Sequence, residues 1–149
     1  MPLANEFSTD TYVGAFNFRV SIPDVAGDIN QAFTQVSGVK STSEKMEFMH
    51  GTDPYARKGV GRTTYDDLQL KRVYNGNDAF YSWRLEIEQG ILTRRDVKIE
   101  MMRPDGTVAR TMICREAWPS EWVLPEMDAT GSNPGIETIT LTVEKVTNE

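Results

Sequence analysis

Cysteine and histidine each occur once in this chain of 149 residues, as Cys114 and His50. One cysteine makes no internal disulfide, so stability has to come from a packed core, and folding in a reducing compartment is expected. The same scarcity excludes a cysteine-rich zinc site. It also leaves His50 without a local serine or cysteine nucleophile, so His50 reads as a turn or interface residue. No apolar run approaches the ~20 residues that span a bilayer. The opening MPLANEFSTD lacks the basic-then-apolar order of a signal peptide, so no cleaved signal is expected. Basic blocks are missing as well. Lys and Arg number 16 against 22 Asp and Glu, for a net charge of -6. The densest basic spots are the pairs Arg57-Lys58, Lys71-Arg72 and Arg94-Arg95, too little for nucleic-acid binding by charge alone.

Other chemical signatures fail on spacing. Gly59-Val60-Gly61 lacks the surrounding pattern of a phosphate cradle. The stretch DATGSNPGIE offers oxygens from Asp128, Ser132, Asn133 and Glu137, but a calcium loop needs glycine where Asn133 stands. Asp66 and Asp67 are adjacent on an expected strand and point to opposite faces. Glu86 and Glu88 do not face each other on a helix. All four carboxylates read as solvated surface, and neither a metal nor an organic cofactor is expected.

What is present is a patterned globular sequence. Hydrophobic residues make up 39% and charged residues 26%, and a chain of this length buries roughly 70% of its unfolded surface. Residues 1–11 read as a polar arm. From Tyr12 to Ile22 the chain alternates, with Phe16, Phe18, Val20 and Ile22 on one side, as a half-buried strand requires. Further strands are expected over 32–39, with Phe33 inward, and 43–50, with Met46 and Phe48 on one side. Residues 51–64, GTDPYARKGVGRTT, read as a long loop whose tip bends at glycine. A strand over 65–73 puts Leu68, Leu70 and Arg72 on one face. Phe80, Trp83, Ile87 and Ile91 then recur at helical spacing. They predict one helix at about 78–89, capped by Asn77 or Asp78 and closed by Gly90. Alternation returns over 96–102, Asp105-Gly106 makes a turn, and strands follow over 107–118 and 135–146. About seven strands and one helix in a single domain predict a small antiparallel sandwich or partly closed barrel, with the helix packed at its edge or end.

The stretch CREAWPSEW at 114–122 carries the remaining unusual residues. Cys114 reads as a small buried hydrophobe. Pro119 lacks an amide donor and restricts Trp118, so the strand is expected to end there. Trp118 and Trp122 read as core or subunit packing; a stacking platform for bases or sugars is the alternative.

The order and spacing of FNFRVSI (16–22), AFTQVSGV (32–39), KMEFMHGTD (45–53), LQLKRVYNG (68–76), FYSWRLEIEQG (80–90), RRDVKIEMM (94–102), REAWPSEW (115–122) and GIETITLTVEKV (135–146) span nearly the whole chain. Together they resemble the inner tail tube proteins of contractile phage tails and of phage-tail-like extracellular injection systems. The succession VSG–MEF–GTD and the AWP turn carry the most weight. The resemblance implies a mainly β fold shared with type VI secretion tubes, and no enzymatic activity. It implies hexameric rings stacked into a hollow tube for DNA or protein cargo, inside a contractile sheath. Further implied partners are baseplate and initiator proteins, a tape-measure protein and luminal cargo, with no stable membrane or sequence-specific nucleic-acid binding. Assembly is implied in the bacterial cytoplasm, with the final location a phage tail or a released particle. By position, 50–64 matches the family's extended inter-subunit loop or hairpin. Interface residues are therefore expected at Asp53, Tyr55, Arg57, Lys58 and Arg62. Structural packing is expected at Phe16, Phe18, Phe48, Trp83, Cys114, Trp118, Pro119 and Trp122. The rival readings are a type VI tube component and a small ligand-binding β-sandwich.

Overall fold

The computed structural model describes residues 13–14, 17–23, 33–52, 54–74, 76 and 78–149. Among these, nine strands and one helix follow in the order β1 (Phe18–Ser21), β2 (Phe33–Ser37), β3 (Ser41–Phe48), β4 (Arg57–Tyr65), β5 (Leu68–Val73), α1 (Ala79–Glu88), β6 (Arg95–Met102), β7 (Val108–Val123), β8 (Ile136–Thr142) and β9 (Lys145–Asn148). The main sheet runs β1-β6-β7-β8-β5-β2, with β9 also on β7, and every pairing is antiparallel. It does not close into a full barrel, because β1 and β2 stand at its two ends unpaired with each other. β3 and β4 form a separate two-stranded sheet.

Alternation builds the core. Val20 and Ile22 from the β1 segment, Leu68 and Leu70 from β5, Val97 and Ile99 from β6, and Ile139 and Leu141 from β8 are all buried. α1 adds Ala79, Phe80 and Trp83, and Phe18, Phe33 and Trp122 pack against this cluster from its margin. Burying each large side chain contributes about 1.5–3 kcal/mol.

β7 organises the fold. Its first half pairs with β6 and β9, and its second half pairs with β8. At the bend, Glu116 takes a left-handed φ of 53°, and its amide donates to Asp96 Oδ1 at 3.0 Å. Pro119, expected to end the strand at Trp118, instead lies buried inside it and the strand runs on to Val123. A proline is tolerated in a strand beside a bulge, and the β7–β8 register does slip between Pro119 and Glu121.

Three further expectations differ. Residues 57–65 form a strand within the expected loop, since a hairpin solvated on both faces carries no alternation. The single strand expected over 135–146 is β8 and β9, interrupted at Val143 and Glu144. The interruption is local: Trp118 opposes Thr142 and Cys114 opposes Val146, so the register with β7 is kept across it. Asp78 does occupy the N-cap position of α1 but makes no side-chain capping bond, while Asn77 lies outside the described residues. Gly90 closes the helix with φ 85° and its amide donates to the Ile87 carbonyl. Ile91 is exposed beyond it.

Candidate assembly interface

The β3–β4 hairpin stands out because, among the described residues, its two strands pair with each other alone and stay largely uncovered. Every residue of β3 is exposed, and Met46, Phe48, Met49, Tyr55 and Val60 remain 51–81% exposed. The base is polar and well tied: Ser43 and Thr63 hydroxyls meet at 2.8 Å, and Lys40 pairs with Asp66 at 3.7 Å. Further out, Met46 opposes Gly59 and Phe48 opposes Arg57, so the apolar pair shares one face. A Cβ on Gly61 would sit tightly, 3.1 Å from the Glu44 carbonyl, whereas one on Gly59 would meet the Phe48 ring at an ordinary 3.5 Å. The opposite face carries Lys45, Glu47, Lys58 and Val60, with Glu47 across from Lys58.

The residues expected at an interface fall on this hairpin. Tyr55, Arg57, Lys58 and Arg62 are exposed, and the Arg57 guanidinium lies 5.9 Å from the Tyr55 ring centre. Asp53 lies outside the described residues. His50 is exposed just past the end of β3.

The residues expected to pack divide. Trp83 is 1% exposed; its Nε1 donates to the Thr93 carbonyl at 2.8 Å and the Arg95 guanidinium covers its ring at 5.1 Å. Cys114 is fully buried, and burial pushes its thiol up to about 11, which keeps it protonated and inert. Pro119 is buried, and Phe18 and Trp122 are half-buried against the core. Trp118 alternates with the buried Ala117 and Pro119 and lies on the outer face, half-exposed. Phe48 is 51% exposed and lies outside the core cluster of the described residues. Phe16 lies outside the described residues.

One arrangement escapes sequence reasoning. Arg72 and Glu137 are each 1% exposed and oppose each other across β5 and β8. Arg72 Nε donates to Glu137 Oε1 at 2.7 Å, and Trp122 Nε1 donates to Glu137 Oε2 at 3.0 Å. The Arg72 guanidinium also stacks 4.5 Å from the Phe80 ring centre. Its parity with Leu68 and Leu70 signals an inward arginine, but a partner 65 residues away leaves no local trace. Among the described residues, no group of three or more His, Cys, Asp or Glu side chains could hold a metal ion.

A family model described as T4-like virus tail tube protein gp19 matches residues 14–147. The chain belongs to this family. A chain from the sheath–tube complex of an extracellular contractile injection system, PVC, in its extended state has the same fold. The TM-score is 0.81 at 22% identity, over 100% of this chain and 99% of that one. A chain from the tube-terminating cap of the anti-feeding prophage matches with TM-score 0.81 at 25% identity, over 100% of this chain and 99% of the other. Hcp1 from Flavobacterium johnsoniae matches with TM-score 0.55 at 14% identity, over 89% and 94% of the two chains. No curated protein sequence matches. This chain is thus a tail tube protein by family, and it shares its fold with a chain of a contractile injection system.

Proposed function

We propose that the chain is the repeating single-domain subunit of an inner tube. Six copies close a ring, and rings stack into a hollow conduit for DNA or protein within a contractile sheath. The observation that carries this reading is the uncovered β3–β4 hairpin. A lone two-stranded hairpin is marginally stable in water, and an apolar face this exposed marks a contact surface. A neighbouring copy supplies the cover, with Tyr55, Arg57, Lys58 and Arg62 at the contact, and head-to-tail contacts whose rotation closes make a ring. The outer edges of β1 and β2, unpaired among the described residues, add strand pairing between copies.

Sheath, baseplate and tape-measure proteins are the partners that follow, with assembly in the bacterial cytoplasm and a final place in a tail or a released particle. A type VI tube is the second reading. It is favoured less, because the fold match to Hcp1 is looser than that to the injection-system chain, with TM-scores of 0.55 and 0.81. Electron microscopy of the purified protein, alone and with its sheath and baseplate, tests the proposal. Hollow tubes of six-membered rings are expected; a particle with this chain outside the central tube overturns it.

A further inference from the structure

A shallow bowl of about 430 Å³ opens beside the first turn of α1, lined by Tyr74, Asp78, Tyr81, Trp122, Leu124 and Glu137. Its walls are fixed. Tyr81 packs against Trp122 with ring centres 5.0 Å apart and planes tilted by 52°. The Trp122 indole is held by Glu137, which is held in turn by Arg72. The faces remain available nonetheless, since Tyr74 and Tyr81 are 39% and 41% exposed.

The charge in the bowl has one unclaimed member. Both Glu137 oxygens are engaged. Asp78 is exposed and makes no side-chain capping bond, although an N-cap aspartate ordinarily accepts an amide hydrogen of the first turn. Electron-rich ring faces beside a free carboxylate disfavour an anion and attract a cation. The positive end of the α1 dipole is opposed by Asp78 itself. A sugar would need several hydrogen-bonding groups at the floor, but the Trp122 N–H and the Glu137 carboxylate are already used. The site is also too open to enclose a small molecule as an ordinary ligand pocket does, whereas it suits the end of a side chain carried on another surface. Arginine fits better than lysine, because a planar guanidinium stacks on rings and pairs with a carboxylate.

We propose that this bowl receives a cationic side chain, arginine in preference to lysine, presented by a protein partner. The site goes beyond the tube-subunit reading and does not depend on the β3–β4 hairpin.

The test titrates the purified full-length protein with short arginine-rich, lysine-rich and glutamate-rich peptides of equal length, read by tryptophan fluorescence. The arginine peptide is expected to give a saturable change that disappears in Trp122→Phe, with a weaker response to lysine and none to glutamate. Asp78→Asn is expected to weaken binding about fivefold and Tyr81→Ala about tenfold, while the thermal midpoint of Asp78→Asn stays at the parent value. Absence of a saturable change, an equal response to the glutamate peptide, or unaltered binding in both Asp78→Asn and Tyr81→Ala overturns the proposal. Tube formation by Asp78→Asn, seen by electron microscopy, separates failure here from failure of the subunit reading.

Discussion

Arg72 and Glu137 show how a charge survives in the core. Each is desolvated, and each is compensated by the other, by Trp122 and by the Phe80 ring. Removing one partner leaves the other buried and unpaired, which costs about 3–5 kcal/mol. Glu137→Gln or Arg72→Leu is therefore expected to lower the urea midpoint sharply, and the paired apolar replacement of both to recover much of the loss. A second pair makes stability depend on pH. Arg19 Nη2 donates to Glu100 Oε2 at 2.8 Å, and this hydrogen bond holds the Glu100 carboxyl below the ordinary carboxylate range. Because the folded value lies below the unfolded one, the contribution is complete above about pH 4.3 and is lost as pH falls through the folded value. Unfolding curves taken between about pH 6 and pH 3 are expected to show a smaller acid-side loss in Glu100→Gln than in the parent.

Elements differ in how legibly the sequence marks them. β1, β5 and β6 bury alternate residues, so their two-residue period is plain in the order of residues alone. α1 is equally plain in the spacing of Phe80 and Trp83. β4 is hidden because both its faces meet water and it carries Gly59 and Gly61, which read locally as breakers. Pro119 misleads for a different reason: its missing donor falls beside a register slip that only long-range pairing creates. Of the candidate interface, sequence position locates Tyr55, Arg57, Lys58 and Arg62, but not the apolar face of Met46 and Phe48, whose alternation is that of a core strand although β3 leaves the body of the molecule. That face lies outside the core cluster of the described residues. Met46→Ser with Phe48→Ser is therefore expected to change the isolated chain's stability by less than about 1 kcal/mol. The same variant is expected to abolish tube formation, checked by unfolding curves and by sedimentation.

At the scale of the whole molecule, the two halves of the main sheet share one strand. β6 and β9 lie on the first half of β7, β8 lies on the second, and the register with β7 is kept across the break between β8 and β9. Neither half has a separate core, since the buried residues of β1, β5, β6, β8 and α1 form one cluster. Unfolding is expected to be a single transition, with tryptophan fluorescence and far-ultraviolet circular dichroism giving coincident urea curves. The continuity of β7 also bears on load. A pull that separates the halves of an ordinary sandwich need only break side-chain contacts, layer from layer. Here both halves are hydrogen-bonded to one continuous strand of sixteen residues, and they part only when that backbone is itself drawn out.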